Sequence, residues 1–298
     1  MSRIQADFLL AVVAVIWGSA FVSQSLGMAS VGPYAFTGAR FLLGALIVFP
    51  LAWRELHVRG KSEHIEPLDR YDLKLILALG TLLFLGAVFQ QIGIMSTTVT
   101  NAGFLTALYV PLVPLFSWLL FKQLPHWAVW PASAGCVSGT WLLTGGELIS
   151  LNAGDAWVIA SSFFWAGHVL LIGHSATHRA GPFTVACGQF LVVGVLGSVA
   201  AVITEPLSVE VLKSAAGTIA YAGILSVGFG FTGQVIAQRH TPAADTAIIL
   251  SLETAFAAIF GALWLGERLD SMGLIGCSLI FVSILAVQLL PLIRSQKR

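Results

Sequence analysis

The chain has 298 residues, of which 57% are hydrophobic and only 10% carry a charge. A water-soluble domain carries about 25% charged residues, so this composition excludes an ordinary soluble protein. The net charge of +1 favours neither nucleic acid nor an acidic partner. All three cysteines lie within apolar runs, so no disulfide framework is expected.

Apolar runs long enough to cross a bilayer follow one another along the chain, separated by Gly, Pro or charged residues. We predict an all-α integral membrane protein with ten transmembrane helices, at about 7–27, 33–53, 73–94, 99–121, 127–145, 152–172, 182–203, 214–236, 243–265 and 271–292. The only long soluble stretch is expected at about 54–72, as a flexible connector or a docking segment. The first span is too long for a signal peptide, so we expect it to be retained.

Lys and Arg residues are unevenly distributed between the alternate loops. Twelve of the 15 fall on one side of the predicted spans, Lys213 and Arg268 fall on the other, and Arg40 lies within the second span. Because positive charge accumulates in cytoplasmic loops, we predict a multi-pass protein of the inner (cytoplasmic) membrane with both termini in the cytoplasm.

The sequence contains a weak internal repeat, with predicted halves at 1–145 and 146–298. The fourth and ninth spans align at an offset of 145, with Thr100-Asn101-Ala102 opposite Asp245-Thr246-Ala247. The first and sixth align at an offset of 148, with Trp17-Gly18 opposite Trp165-Ala166. Five spans is an odd number, so the second half would be inverted and a central cavity would form where the halves meet. Chance similarity between apolar helices is the alternative.

Three sequence segments carry a family resemblance: Ile16-Trp17-Gly18-Ser19-Ala20-Phe21, Arg40-Phe41, and Ser251-Leu252-Glu253 through Leu265-Gly266-Glu267-Arg268-Leu269. With them the chain resembles the drug/metabolite transporter superfamily, specifically its ten-helix EamA-type members, over nearly its whole length. It departs from the family pattern at Thr254, where a proline is common, and at Lys122-Gln123, where a Gly-Glu pair is common. Within the family it is most similar to bacterial exporters of amino acids and related metabolites.

Glu253 is the most informative candidate for a substrate-binding residue. It lies ten positions into the ninth span, about 15 Å along the helix axis and hence near the middle of the bilayer. A carboxylate at that depth costs about 2.5–3.5 kcal/mol, so it is expected to face the protein interior. It could contact a substrate amine, exchange a proton, or tie two helices together.

Other candidate substrate-binding residues are aromatic or polar and lie well inside predicted spans: Trp17, Gln90, Tyr109, Trp165, His168 and Gln234. Tryptophans usually lie at the headgroup level, so midplane tryptophans indicate flat cavity walls, with packing as the alternative. A buried histidine could accept a proton or satisfy a structural hydrogen bond. The neutral polar groups suit a zwitterion, although hydrogen bonds between helices also explain them.

Three further features have mainly structural interpretations. Arg40 is expected to extend towards the extracellular interface, with a gate or an ion pair to Glu267 as the alternative. Asp245 is expected to cap the ninth span. Pro111 and Pro114 are expected to kink the fourth span.

Two apparent motifs are excluded. The glycine pattern of Gly228–Gly233 matches a dinucleotide fingerprint but lies inside a span without a preceding strand. His174 and His178 have a possible metal-binding spacing, but no carboxylate or cysteine is adjacent. We therefore expect no metal, no cofactor and no nucleic-acid partner.

The leading hypothesis is a secondary transporter, active as a monomer in the lipid bilayer, that exports neutral or aromatic amino acids and similar metabolites by alternating access. Spans 1, 3, 4, 6, 8 and 9 would surround the cavity, and spans 2, 5, 7 and 10 would brace it, with Gly135 and Gly139 allowing close packing of the fifth. A sugar, nucleotide-sugar or multidrug carrier is the alternative. An intramembrane enzyme is remote, because the sequence contains neither a Gly-x-Ser-x-Gly nor a His-Glu-x-x-His motif.

Overall fold

A computed structural model describes residues 1–61, 68–143, 152–175, 180–267 and 271–295. Within these ranges the regular structure is helical and contains no strand. The helices are α1 (Arg3–Met28), α2 (Pro33–Lys61), α3 (Arg70–Ile94), α4 (Val99–Thr106), α5 (Tyr109–Phe121), α6 (Val129–Leu143), α7 (Ala153–Ser175), α8 (Pro182–Thr204), α9 (Val209–Ser214), α10 (Ala216–Tyr221), a π-helical segment (Ala222–Phe231), α11 (Thr232–Ala237), α12 (Ala243–Leu250), α13 (Leu252–Leu265) and α14 (Ser271–Ser295).

Eight helical stretches in the described part of the chain are long and apolar enough to cross a membrane. They correspond to the first four predicted spans and to the sixth to ninth, so the protein is a multi-pass membrane protein. The fifth predicted span is represented by α6, which has 15 residues and is about 22 Å long. The tenth predicted span is represented by α14.

The stretch predicted as a connector at 54–72 is largely helical. Helix α2 continues to Lys61 and α3 begins at Arg70, so only residues 62–67 lie outside the described ranges. Mixed charge indicated a solvated loop, but charged residues are equally suited to helix turns that extend beyond the hydrocarbon layer. The prediction was therefore too long at both ends.

Two spans are broken near their middle. The fourth is divided at Ala107–Leu108, one turn before Pro111, because this proline has no N–H to donate to the Ala107 carbonyl. The span is thus interrupted next to Pro111, as predicted, whereas Pro114 lies inside α5. The ninth span is divided at Ser251, where no proline lies nearby, and its second half begins at Leu252.

Helices α2 and α8 form a long antiparallel pair. A carboxylate near the carboxyl end of each helix accepts hydrogen bonds from backbone N–H groups at the amino end of the other. Glu55 accepts hydrogen bonds from the Phe183 and Thr184 amides at the start of α8. Glu205, which follows α8, accepts hydrogen bonds from the amides of Tyr34 and Ala35 at the start of α2. Each carboxylate therefore satisfies free N–H groups at the amino end of the other helix.

Glycines set the closest helix contacts. A Cβ atom on Gly197 of α8 would lie 2.8 Å from the Gly38 amide nitrogen of α2, which no larger residue could accommodate. In α6, a Cβ atom on Gly139 would lie 2.7 Å from the Gly276 carbonyl oxygen of α14. The predicted close packing of the fifth span is confirmed, and its partner is α14.

Candidate functional site

A cavity lies between the two broken spans and the helices packed around them. Its empty volume is about 520 Å³, including space that is open to solvent. Six of the seven predicted substrate-binding residues line it: Trp17, Gln90, Tyr109, Trp165, Gln234 and Glu253.

Two tryptophans and a phenylalanine form an aromatic wall. The Phe231 ring lies 4.6 Å from the Trp17 ring and 5.8 Å from the Trp165 ring, centroid to centroid, and is nearly parallel to the latter. Phe231 was not predicted, since a phenylalanine in an apolar span gives no signal in the sequence. The three rings offer flat apolar surfaces to one side of a ligand.

The two tryptophans differ in their hydrogen bonds. Trp17 Nε1 donates to the Ser226 carbonyl at 3.1 Å, inside the π-helical segment. Trp165 Nε1 has no partner in the part of the chain that the structure describes. A π-helical segment alters the usual backbone pairing and is common at functional sites, which explains how a mid-span carbonyl accepts this bond.

His168 does not line the cavity. It is fully buried, and its Nε2 shares a hydrogen bond of 2.8 Å with Gln189 Oε1 of α8. Its ring meets Trp165 and Phe231 edge-on, on the side away from the cavity. This geometry favours the structural interpretation, in which His168 supports the aromatic wall.

Arg40 lines the cavity, and the prediction that it extends to the membrane interface was wrong. Its side chain is 4% exposed, and its Nη1 donates to Gln24 Oε1 at 2.7 Å. The guanidinium lies over the rings of Phe36 and Phe41, at 5.4 and 5.3 Å from their centroids. The depth of Arg40 along α2 could be counted from the sequence, but the direction of its side chain depends on how α2 is rotated against α1 and α8.

Glu253 and Tyr109 face each other where the two broken spans meet. Glu253 is 4% exposed and lies in the first turn of α13, where free backbone N–H groups favour a negative charge. The Tyr109 hydroxyl is near this carboxyl group, but among the described residues it has no hydrogen-bond partner of ordinary geometry. Beside them, Gln90 Nε2 donates to Thr106 Oγ1 at 2.9 Å.

A group of charged and polar residues, which we call the Arg3 cluster, lies at the end of the bundle where α1 and α12 begin: Arg3, Asp7, Thr241 and Asp245. Arg3 Nη2 donates to Asp245 Oδ2 at 2.5 Å, and Thr241 Oγ1 donates to Asp7 Oδ1 at 2.7 Å. Asp245 lies in the first turn of α12, where its charge complements the helix dipole as predicted, but no side-chain hydrogen bond caps this helix. The Asp245 carboxylate binds the nearby Arg3 guanidinium instead, because a charged guanidinium is a stronger hydrogen-bond donor than a backbone N–H group.

At the opposite end, where α4 and α7 begin and α13 ends, lies what we call the Glu267 cluster: Thr97, Thr100, Asp155 and Glu267. Glu267 accepts hydrogen bonds from the Val99 and Thr100 amides at 3.3 Å each and from the Thr100 hydroxyl. Thr97 Oγ1 donates to Asp155 Oδ1 at 2.7 Å. Glu267 thus caps α4, and the alternative of an ion pair with Arg40 was wrong.

The EamA-like transporter family model matches residues 4–145 and again residues 152–289. The chain belongs to this family, as its sequence resemblance indicated. The family is one of transporters rather than enzymes.

Individual relatives agree with this assignment. The chain is 30% identical over 294 residues to an uncharacterized transporter of Archaeoglobus fulgidus, covering 97% of this chain and 87% of that protein. It is 28% identical over 287 residues to the threonine/homoserine exporter RhtA of Escherichia coli K12, covering 92% of this chain and 88% of that protein. A crystal structure with 18% sequence identity superimposes with a TM-score of 0.78, covering 97% of this chain and 98% of that chain, which supports the fold alone.

Proposed function

We propose that the protein is a secondary transporter that exports small neutral metabolites, with amino acids such as threonine and homoserine as the first substrates to test. The observation that carries the proposal is the central cavity, in which aromatic walls and polar groups face one another at mid-span. Six residues predicted from sequence would contact the substrate: Trp17, Gln90, Tyr109, Trp165, Gln234 and Glu253. The relative that exports threonine and homoserine supports amino acids as the cargo.

Aromatic amino acids belong in the same test, because Trp17, Phe231 and Trp165 provide stacking surfaces. A nucleotide-sugar carrier would need several cations for its phosphates. Among the described residues that line the cavity, Arg40 is the only cation. The charge of the cavity therefore favours an amino acid over a nucleotide sugar.

We further propose ten membrane crossings arranged as two inverted halves, 1–145 and 146–298. Paired contacts support this arrangement: Asp7 with Thr241 repeats as Asp155 with Thr97, and both bonds are 2.7 Å long. Asp7 and Asp155 are 148 positions apart, the offset that aligns the first and sixth spans. A second reciprocal contact joins α2 and α8: Glu205 accepts from the Tyr34 amide, and Glu55 accepts from the Thr184 amide.

Transport by alternating access would break the contacts at one end while keeping those at the other. The Arg3 cluster and the Glu267 cluster are suited to this role, because each joins the start of one broken span to a helix of the other half. Both clusters are formed in this structure. By the distribution of Lys and Arg, the Arg3 cluster would face the cytoplasm, in an inner membrane, and the monomer would be the working unit.

The proposal is tested by counterflow in proteoliposomes. Vesicles loaded with unlabelled threonine, homoserine, leucine, phenylalanine or glucose are diluted into the same labelled compound, with and without a proton gradient. We expect exchange of at least one amino acid and none of glucose. Exchange of glucose without any amino acid would contradict the proposal. Net uptake of the labelled amino acid into empty vesicles is measured in parallel, and net uptake that ignores the proton gradient would exclude proton coupling.

A further inference from the structure

Two side chains of opposite charge type line the same cavity without meeting a counter-ion. Arg40 and Glu253 are each 4% exposed and both belong to the cavity lining. The salt bridges between described residues join Arg3 to Asp7 and to Asp245, and neither Arg40 nor Glu253 takes part in them. A buried ionisable group without a partner of opposite charge is costly, so both positions need an explanation.

The surroundings of Arg40 leave part of its guanidinium unsatisfied. Gln24 accepts one hydrogen bond, and two aromatic rings cover its faces. Its Nε has no partner among the residues that the structure describes. A planar guanidinium with free donors matches a carboxylate, which can accept two parallel hydrogen bonds.

Glu253 lies across the break between α12 and α13, beside the Tyr109 hydroxyl. A carboxylate next to a hydroxyl and aromatic surfaces is suited to a primary ammonium group, which donates three hydrogen bonds. Two further polar atoms of the same lining, Trp165 Nε1 and Gln234 Oε1, have no partner within the described part of the chain.

We propose that Arg40 binds the α-carboxylate and Glu253 the α-ammonium of a zwitterionic amino acid, so that one ligand neutralises both side chains. This inference rests on the proposed function and deepens it. A ligand with only one of the two charges would leave the other side chain unpaired. The pair therefore selects free amino acids over amides, peptides with blocked ends and neutral sugars.

The first test uses ligands rather than variants, so it does not depend on whether a variant folds. Displacement of radiolabelled threonine and phenylalanine is measured on purified protein in lipid nanodiscs. The competitors are each amino acid, its amide, which lacks the carboxylate, and its N-acetyl derivative, which lacks the ammonium. We expect both derivatives to bind at least about tenfold more weakly, the factor expected when a hydrogen bond to a charged group is lost.

The second test assigns each charge to its side chain. Arg40→Gln is expected to weaken binding of the free amino acid at least about tenfold and to leave binding of the amide unchanged. Glu253→Gln is expected to weaken the free amino acid by a similar factor and to leave the N-acetyl derivative unchanged. Arg40→Lys, which keeps the charge, should retain more affinity than Arg40→Gln. Lys213→Gln and Glu210→Gln, both exposed, are matched controls.

The outcomes separate the two proposals. If the wild-type protein binds neither threonine nor phenylalanine and exchanges no amino acid, the proposed function fails and this inference with it. If amino acids bind but the amides and N-acetyl derivatives bind equally well, only this inference is overturned. Equal weakening of all ligands by Arg40→Gln would show that Arg40 shapes the cavity without contacting the carboxylate, which also overturns it.

Discussion

The Arg3 cluster and the Glu267 cluster lie at opposite ends of the same broken span, α12 and α13, about 35 Å apart along the helix. Each contains a threonine that donates to an aspartate at 2.7 Å. Around this shared bond the chemistry differs. One end is closed by a salt bridge from Arg3 to Asp245, and the other by a carboxylate that accepts backbone and hydroxyl hydrogen bonds.

The two ends of the bundle are therefore closed by different interactions, and these interactions differ in their sensitivity to salt and to geometry. The Arg3 side chain is 43% exposed, so its ion pair is screened by water and salt. Glu267 acts through directional hydrogen bonds to N–H groups, which depend on geometry more than on ionic strength. The two ends should therefore respond differently to the same perturbation.

The largest effect on transport is expected from substitutions in the central cavity, which lies between the two clusters. Trp17→Ala and Trp165→Ala each remove one aromatic wall and should reduce counterflow at least about tenfold while the protein remains folded. Counterflow and size-exclusion profiles are measured together. Exposed Trp53→Ala is a matched control. Normal flux in both cavity variants would mean that the substrate does not contact this aromatic wall.

A smaller effect is expected from Glu267→Gln, which weakens the cap of α4. The loss of a helix cap costs about 1 kcal/mol, so amide hydrogen exchange over Val99–Asn101 should be roughly fivefold faster. Exchange at the Arg3 cluster should not change. Glu210→Gln, on the exposed α9, provides the control, and equal acceleration at both ends would contradict independent closure.

A still smaller effect is expected from Arg3→Gln, which removes a partly exposed ion pair. Such pairs contribute about 0–1 kcal/mol, so amide exchange over Thr241–Asp245 should rise by no more than about fivefold. Replacing Ser2 by Ala in parallel tests whether the effect comes only from the first helix turn, since Ser2 caps α1. Unchanged exchange in Arg3→Gln would mean that the Thr241–Asp7 bond alone closes this end.

The smallest effect is expected from salt. Raising the ionic strength from about 0.1 M to 1 M shortens the screening length from about 10 Å to about 3 Å. Exchange at the Arg3 cluster should rise by roughly a factor of two, and exchange at the Glu267 cluster should stay constant. The Arg3→Gln variant should lose this salt response, and a response that persists in the variant would locate its origin elsewhere.

Much of the helix pattern could be predicted from the sequence, because apolar length and breaker residues reflect strong constraints of the bilayer. Six of the seven predicted site residues lie in one cavity, since polar and aromatic groups at mid-span are costly anywhere else. Arg40 was misjudged because depth along a helix does not give rotation about its axis. Phe231 was missed because it is apolar among apolar neighbours.

The ends of the helices illustrate a second limit. Asp245 and Glu267 lie near opposite ends of the ninth span, and the local pattern suggests capping only for Asp245, at the amino end. Glu267 caps a different helix, α4, and Asp245 binds Arg3, which is 242 positions away. Contacts of this kind depend on how distant helices pack, and a single sequence does not contain that arrangement.

The π-helical segment has a consequence for the accuracy of the pocket. An ordinary α-helix turns by about 100° for each residue. Deleting a single residue between Ala222 and Phe231 would therefore swing Gln234 and the rest of α11 to a new angular position around the axis. The place of Gln234 in the cavity lining thus depends on the register of the backbone as much as on the identity of the side chain.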